Sequence, residues 1–346
     1  MLGINLGIDL GTANVTIYVP GHGIVLREPS VIAVDRETEK MIACGSEAYT
    51  MLGRTPDSIY AVRPVKKGVI SEYDYAEQML RSFVRRVCAY KVIKPRAAAS
   101  VPASVTEVEQ RYLVEAVLAS GIRKVALIDE AIAAAVGAGI KIDQPYGSMV
   151  VNIGAGTTDI AVLSLKGIAS STSIRVGGDD MDEAIVRYLH SKYSHVIGLL
   201  TAEQVKINLG CAILPQEQKT MGVKGRNIVS GLPCVQKISN FEVYEALQEP
   251  VGQILEAIQR VLESTPPELA GDIFESGICL TGGCAQLSGL AEAVMKFTGV
   301  HCRVAENPAD CVAIGTGESL EYLGILYSGA YSVSQFNFPP SDSARL

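Results

Sequence analysis

Two segments of this chain share one layout, and this repeat constrains the fold more than any other feature of the sequence. Residues 6–19 (LGIDLGTANVTIYV) and residues 150–163 (VVNIGAGTTDIAVL) each contain an apolar strand, a glycine turn with a threonine, and a second β-rich strand. A side chain of carboxylate shape precedes each turn, Asp9 in the first copy and Asn152 in the second. Because matched hairpins indicate a duplicated unit, we expect two similar halves whose glycine turns face each other across a cleft.

Each glycine turn offers the chemistry that an anionic phosphate chain requires. Such turns expose several backbone N–H groups beside a hydroxyl. Other phosphate-binding motifs are absent, since the sequence contains neither GxxxxGKS/T nor GxGxxG. A single glycine-rich hairpin occurs in many α/β proteins, so the interpretation as a phosphate site depends on the two copies together.

The composition excludes several other classes of protein. Hydrophobic residues make up 48% and charged residues 19% of the 346 residues, which is typical of a packed chain of one large or two smaller domains. The net charge of −7 disfavours a nucleic-acid partner. Eight cysteines without CxxC spacing and four histidines without HExxH spacing give no zinc motif. We expect reduced thiols, no secretory signal and no spanning helix, and therefore a cytoplasmic protein.

The periodicity of apolar residues predicts alternating strands and helices. The predicted strands are residues 6–19, 24–34, 97–101, 124–128, 148–154, 159–165 and 277–281. The predicted helices are residues 75–90, 107–120 and 251–263. This alternation indicates an α/β fold. The pattern ends near residue 327, which predicts an unstructured tail.

Seven segments carry a family resemblance that extends from about residue 3 to residue 326. They are GIDLGTAN (7–14), GIVLREPSVIAV (23–34), RPVKKGVISEY (63–73), IRVGGDDMDEAI (174–185), TAEQVK (201–206), STPPELAGDIFESGICLTGG (264–283) and CVAIGTG (311–317). With these segments in this order, the chain resembles the MreB family, the bacterial actin homologues of rod-shape maintenance in the actin-like ATPase superfamily. The resemblance implies an actin-like α/β fold, in which two related domains, each with a mixed sheet flanked by helices, enclose a nucleotide cleft.

The resemblance also implies a division of the chain. Domain I is expected at residues 1–145 with a small insertion at about 31–74, and domain II at residues 146–327 with an insertion at about 180–245. The last helix is expected to return to domain I, and residues 328–346 to form a flexible tail.

By the same resemblance, ATP and Mg²⁺ are the implied cofactors, and each part of the nucleotide has its expected residues. The first phosphate turn is Gly11, Thr12, Ala13 and Asn14, and the second is Gly154, Ala155, Gly156 and Thr157. The implied ribose and adenine contacts are Glu203, Gln204, Val205 and Lys206, together with Gly282, Gly283, Cys284 and Ala285. The implied catalytic residues are Glu130, Asp9, Asn152 and Thr157. Among them, Glu130 would orient the attacking water, and Asp9 would hold Mg²⁺ through water.

Four positions depart from the pattern of the family. Asn152 replaces the usual Asp, which predicts weaker metal binding or slower turnover, because the amide carries no charge. Ala155 and Cys284 stand where glycines are usual, and Ala131 stands where Pro is common. Cys284 is interpreted as a small filler in a glycine position, with a reactive thiol at the cleft as the alternative. Asn152 is the reason to keep a second hypothesis, a nucleotide-locked paralogue that acts as a filament scaffold.

A basic segment gives the expected membrane contact. Residues 81–96 (RSFVRRVCAYKVIKPR) contain six basic and no acidic residues. Val92 and Ile93 fall where the family carries a membrane-inserting loop, and basic neighbours would lie on anionic headgroups. The alternative is a surface helix with a buried Val–Ile pair.

The function that the resemblance implies is mechanical and positional. We expect a slow ATPase that polymerises into filaments of paired protofilaments on the inner face of the cell membrane. Its implied partners are other copies of itself, inner-membrane lipids and the membrane proteins of cell-wall elongation, which it would direct to maintain rod shape. A sugar kinase of the same superfamily is disfavoured, because the sequence offers no sugar-binding carboxylate site.

Overall fold

We describe a computed structural model of the chain, which covers residues 4–88, 94–321 and 331–333. The N-terminal elements are β1 (Asn5–Leu10), β2 (Asn14–Val19), β3 (Gly23–Pro29), β4 (Ile32–Asp35), β5 (Met41–Cys44), α1 (Ser46–Met51), β6 (Ile59–Val62), β7 (Val65–Lys66), β8 (Val69–Ile70), α2 (Tyr73–Cys88), β9 (Arg96–Val101), α3 (Glu107–Ala119), β10 (Lys124–Asp129) and α4 (Glu130–Gly137).

The C-terminal elements follow the same plan. They are β11 (Ser148–Ile153), β12 (Thr158–Ser164), β13 (Gly167–Ile174), α5 (Gly178–Tyr193), β14 (His195–Val196), α6 (Leu199–Leu209), β15 (Thr220–Asn227), β16 (Pro233–Ser239), α7 (Asn240–Glu263), α8 (Pro267–Ser276), β17 (Ile278–Thr281), α9 (Leu290–Thr298), β18 (Cys302–Val304), α10 (Cys311–Glu318) and β19 (Tyr331–Val333).

The two central sheets share one topology. The first has the strand order β19-β10-β9-β1-β2-β3, and the second has the order β18-β17-β11-β12-β13. In the first sheet β1 pairs in parallel with β9 and antiparallel with β2, and in the second β11 pairs in parallel with β17 and antiparallel with β12. We call the parts built on these sheets the first and second lobes. The predicted α/β, actin-like fold with two related halves is confirmed.

The repeated segments form matched hairpins at the centre of each sheet. Asp9 lies opposite Thr16 in the first hairpin, and Asn152 lies opposite Asp159 in the second. Each turn closes in the same way, because the N–H of Gly11 donates to the Asn14 carbonyl at 3.0 Å and the N–H of Gly154 donates to the Thr157 carbonyl at 2.9 Å. The internal repeat of the sequence is therefore a repeat of structure.

Helices α4 and α10 pack against each other where the two lobes meet. A side chain on Gly137 would overlap the Cys311 carbonyl, and one on Gly315 would overlap the Ala133 carbonyl, so the two backbones are in direct contact. Helix α10 also packs on β1, where Gly7 faces Gly317. These glycines have a packing role, because only a residue without a Cβ permits this approach.

A small sheet adjoins each central sheet. The small sheet of the first lobe has the order β5-β4-β6, and that of the second lobe has the order β14-β15-β16. Separate apolar clusters fill the two lobes, around Phe83 and Leu80 in the first and around Ile254 and Ile258 in the second.

Helix boundaries follow the sequence prediction with one large exception. The capping box of Thr106 and Glu109 begins α3 as predicted. The helix predicted at 251–263 instead begins at Asn240 and continues through Pro250. Pro250 lies inside the helix although it lacks an N–H donor. The helix continues because Val243 and Leu247 add to one buried face and a second capping box starts at Ser239.

The C-terminal segment differs in part from the expected unstructured tail. Residues 331–333 form β19, which pairs in parallel with β10 at the edge of the first central sheet. The remainder of residues 328–346 lies outside the described residues. Within the described ranges, no helix combines the length and apolar character that crossing a membrane requires.

Candidate functional site

A cavity of about 1140 Å³ lies between the lobes, and both glycine turns line it. This volume exceeds that of a typical small-molecule site. The first turn (residues 11–14) and the second turn (residues 154–157) enter from opposite sides. The two turns therefore converge on one cleft, as the repeat in the sequence predicted.

The two turns approach each other closely. A Cβ on Gly156 would lie 2.5 Å from the Thr12 hydroxyl oxygen and 2.8 Å from the Lys67 Cα. The Thr12 hydroxyl accepts a hydrogen bond from the Gly68 N–H at 3.0 Å. Lys67 and Gly68 form the tip of the β7–β8 hairpin, so this hairpin touches one residue of each turn. Ala155, the substituted glycine position, lies outside the left-handed backbone region, so its methyl group causes no backbone strain.

Polar side chains from both lobes lie below the turns. Asn152 donates from its amide nitrogen to Glu130 Oε1 at 3.0 Å, and its amide oxygen accepts from the Thr281 hydroxyl at 3.2 Å. Asp9 accepts from the Ser100 hydroxyl at 3.2 Å. Asn152 thus fixes the carboxylate that the family resemblance predicts to orient water, and an ionised Asp in its place could not donate this hydrogen bond.

Burial and mutual repulsion shift the pKa values of these carboxyl groups upward. Burial raises the pKa of Asp9 to about 6. The pKa of Glu130 is raised well above its usual value by burial first, then by the charges of Asp159, Asp9 and Asp129, while the hydrogen bond from Asn152 opposes the shift. Carboxylates that disfavour one another's ionisation form a site that a cation stabilises.

Asp159 belongs to this group, although sequence reasoning did not select it. It is fully buried, lies opposite Asn152 on β12, and accepts from the Ala103 N–H of the first lobe at 3.3 Å. Burial raises its pKa to about 6. The signal was present in the sequence, because strand pairing across a short turn places residues 152 and 159 side by side.

The opposite end of the cavity contains the predicted base and ribose residues Glu203 and Lys206. Glu203 accepts a hydrogen bond from the Tyr49 hydroxyl at 2.7 Å, which joins α6 to α1 of the other lobe. Lys206 donates to the Gly178 carbonyl at 2.8 Å and to Asp182 at 3.0 Å. Burial raises the pKa of Asp182 to about 7 despite this lysine.

Two ion pairs cross the cleft above the second turn. Arg63 lies 3.2 Å from Asp179, and Lys67 lies 2.5 Å from Asp180. Both aspartates lie in the first turn of α5, and the Asp179 N–H donates to the carbonyl of Ala155. These contacts, like the Tyr49 contact, hold the lobes together over the cavity. Both aspartates belong to the segment IRVGGDDMDEAI, which carried the family resemblance. The sequence of this segment did not indicate which residues they would bind.

The remaining predicted residues divide into two groups. Gly282, Gly283 and Cys284 line the cavity, and Cys284 packs against Gly178. Burial raises the pKa of the Cys284 thiol to about 11, which agrees with a filler role rather than a reactive one.

Three predicted ligand residues do not line the cavity. Val205 and Ala285 are buried in the apolar core of the second lobe, and Gln204 lines a separate depression beside Tyr49. They lie within short motifs whose neighbours face the cavity, because adjacent residues of a helical turn point in different directions. Val92 and Ile93, the predicted membrane residues, lie outside the described residues.

The donor set fits a hydrated magnesium ion bound with phosphate. In residues 4–88, 94–321 and 331–333, no three His, Cys, Asp or Glu side chains form a direct metal-binding group. Mg²⁺ commonly keeps several waters and takes one or two carboxylates plus substrate phosphates. Asp9 beside two phosphate-type turns satisfies that requirement without further protein ligands.

Comparison with known proteins gives one consistent result. Residues 3–327 match the model of the MreB/Mbl protein family. The chain is 46% identical over 322 residues to the cell shape-determining protein Mbl of Bacillus subtilis, covering 93% of this chain and 97% of the relative. It is 45% identical over 329 residues to the cell shape-determining protein MreB of Escherichia coli, covering 93% and 95%.

Solved structures agree with the sequence relatives. The crystal structure of MreB5 of Spiroplasma citri bound to AMPPNP has a TM-score of 0.86 and 35% identity, covering 93% of this chain and 97% of that one. The ADP-bound structure of the same protein has a TM-score of 0.88.

Proposed function

The chain belongs to the MreB/Mbl family, and from this premise we propose that it is an ATP-binding, filament-forming cytoskeletal protein that determines cell shape. The names of its curated relatives support the role in cell shape. The AMPPNP and ADP complexes of MreB5 support a nucleotide in the cavity.

The observation that carries the proposal is the contact between two matched turns across one cavity. Gly156 lies against Thr12, and both turns close with the same backbone hydrogen bond. A polyphosphate between the turns would meet backbone N–H groups from both lobes. Its binding would therefore stabilise the closed arrangement of the lobes.

The carboxyl groups below the turns would supply slow hydrolysis. Asp9 would hold Mg²⁺ through water, and the ion would supply charge neutralisation of the phosphate oxygens. Glu130 would orient the attacking water, held in place by the Asn152 amide at 3.0 Å. At the other end, Glu203 and Lys206 would face the ribose and base, beside Gly282 and Gly283.

We propose a location on the inner face of the cell membrane. The basic segment at residues 81–96 would rest on anionic headgroups, and Val92 and Ile93 would insert. One such loop per subunit is a weak anchor, but repetition along a filament multiplies it. Filaments bound in this way would engage the membrane proteins of cell-wall elongation.

A nucleotide-locked scaffold remains the second candidate. The observation that favours it is the neutral Asn152, which contributes no charge to the cation site. In that case the protein would bind ATP and assemble without appreciable release of phosphate.

The test is ATP-dependent assembly with Mg²⁺ in solution and on vesicles of anionic phospholipid, followed by sedimentation and negative-stain microscopy. We expect filaments in both conditions and co-sedimentation with the vesicles. The double variant Val92→Ser/Ile93→Ser should keep filaments in solution and lose vesicle binding. The matched control is Val108→Ser, an exposed apolar residue on α3, which should change neither. Monomers alone under every condition would contradict the proposal.

A further inference from the structure

A histidine and a cysteine lie side by side in the small sheet of the second lobe, away from the cavity described above. His195 is on β14 and Cys234 is on the edge strand β16. The Cys234 sulfur is 3.2 Å from His195 Nδ1. The imidazole reaches it by crossing the intervening strand β15.

The sheet is built to admit this crossing. Gly225 on β15 pairs directly with Cys234, and a Cβ on Gly225 would lie 2.4 Å from the Val196 carbonyl oxygen of β14 and 2.7 Å from His195 Nε2. The ring therefore occupies the space that any other residue at position 225 would fill. The backbone of Gly225 does not adopt a positive φ, so its role here is this close approach.

The hydrogen bonds of the imidazole define its tautomer. His195 Nε2 lies 3.1 Å from the Val223 carbonyl oxygen, which can only accept. Nε2 therefore carries the proton, and Nδ1 of the neutral ring is an acceptor facing the Cys234 thiol. An activated thiol requires a nucleophile, a base and a group that orients the base. Here these are the Cys234 thiol, the His195 imidazole and the Val223 carbonyl.

The surroundings distinguish Cys234 from other thiols of the chain. His195 is buried, whereas Cys234 is half-buried on an edge strand. Burial raises the pKa of Cys302 to about 12 and that of Cys311 to about 11. Burial also raises the pKa of Cys44. Those thiols are therefore poor nucleophiles at neutral pH.

Charged groups on the neighbouring elements point away from the pair. Residues of β15 and β16 alternate between a packed and an exposed face, and the exposed face carries Lys224, Arg226 and Lys237. At the end of α5, which packs on β14, His190 and Lys192 are exposed, and Lys192 is bound to Glu242.

We propose that Cys234 and His195 form a nucleophilic thiol site that reacts with low-molecular-weight disulfides. His195 Nδ1 accepts the thiol proton, and the Cys234 sulfur attacks one sulfur of the disulfide. The S–S bond of the reagent breaks, a mixed disulfide forms at Cys234, and the departing thiolate takes the proton from His195. Cys234 is oxidised and one half of the reagent is reduced, so electrons and protons balance. The site does not depend on the proposed nucleotide function.

The experiment measures modification of each cysteine-containing peptide by mass spectrometry, with iodoacetamide for rates and glutathione disulfide for the adduct. At pH 7 we expect Cys234 to react at least about tenfold faster than Cys44 and Cys302. His195→Asn should remove that advantage, and Gly225→Ala should reduce it by displacing the ring. Equal rates for Cys234 and the other two thiols would overturn the proposal, as would an unchanged rate in a folded His195→Asn variant.

The wild type alone keeps the test decisive if the variants fail to fold. Glutathione disulfide should form a mixed disulfide at the Cys234 peptide and, after the same exposure, little or none at the Cys44 and Cys302 peptides. Equal adduct at all three peptides would contradict the assignment. Cys234→Ser should abolish the glutathione adduct at this peptide and leave the remaining rates unchanged. An adduct of the same stoichiometry in this variant would overturn it.

Discussion

The first turn (residues 11–14) and the second turn (residues 154–157) have the same backbone closure but different side-chain chemistry. Asp9 precedes the first turn as a carboxyl group that accepts from Ser100. Asn152 precedes the second as an amide that donates to Glu130 and accepts from Thr281. In our proposal the duplicated hairpin is divided into two tasks. The residue before the first turn is a carboxyl group suited to a cation, and the residue before the second turn is an amide that positions a carboxylate.

The two turns also differ in how closely they can be approached. Gly156 of the second turn has no room for a methyl group, since Thr12 and Lys67 lie against it. The equivalent position in the first turn is Ala13, which does carry one. The contact between the lobes thus depends on the missing side chain of Gly156 in the second turn and on the Thr12 hydroxyl of the first turn.

The largest expected effect comes from making the first hairpin resemble the second. Asp9→Asn removes the carboxylate proposed to hold Mg²⁺ through water, and phosphate release should fall by about 100-fold or more. Steady-state phosphate release across a Mg²⁺ titration measures the loss. Asp57→Asn, an exposed position in the first lobe, is the control and should have no effect. Full activity of Asp9→Asn would break the proposed division of tasks.

Gly156→Ala should have the next largest effect, because its methyl group would collide with Thr12 and Lys67. We expect about tenfold weaker ATP affinity, in line with the cost of overpacking a tight contact. Calorimetric titration with a non-hydrolysable ATP analogue measures the change. Gly154→Ala is the matched control, since its nearest neighbour would be the Thr157 carbonyl at 3.4 Å, and its affinity should remain within about threefold.

The reverse exchange, Asn152→Asp, should have an effect no larger than that of Gly156→Ala, and this effect should depend on pH. A carboxylate 3.0 Å from Glu130 would replace a hydrogen-bond donor by a like charge and raise the pKa of Glu130 further. The ionised fraction of Glu130 falls at neutral pH, so phosphate release should slow by about tenfold and recover as the pH rises. The pH–rate profiles of both proteins test this. Faster turnover in the variant at neutral pH would support the locked-scaffold alternative instead.

Thr12→Val should have the smallest effect. It removes the hydroxyl that accepts from the Gly68 N–H at 3.0 Å and should lower the free energy of unfolding by about 1 kcal/mol. Denaturant unfolding without nucleotide measures it. Ala155, the equivalent residue of the second turn, has no hydroxyl to lose, and Ala155→Gly should change stability by less than half as much. Equal losses at both positions would show that the turns are not differentiated in this way.

Much of this architecture could be predicted because it depends on local patterns. The duplicated hairpins, the capping box at Thr106 and the apolar face of α2 are determined by residues close in sequence. The prediction missed residues 240–250 of α7, where the apolar face formed by tertiary packing maintains the helix through Pro250. The α/β class followed from the alternation of predicted strands and helices, and the two related lobes followed from the repeat.

The site could be predicted only in part, because its chemistry depends on contacts between distant segments. The motifs identified Asp9, Glu130 and both turns, but not that the Asn152 amide donates to Glu130. Asp159 went unnoticed for the same reason, since its importance arises from pairing with β11 and from the Ala103 contact. Val205 and Ala285 were included because a motif was carried over whole, whereas only some of its residues face the cavity.

The most direct test of the account is phosphate release by the wild type and Glu130→Gln, measured with ATP and Mg²⁺ alongside ATP affinity. We predict that Glu130→Gln binds ATP as tightly as the wild type, because only the orientation of water is lost. Its rate of phosphate release should fall by about 100-fold or more. A silent wild type together with active Asn152→Asp would contradict the account and identify the chain as a nucleotide-locked scaffold.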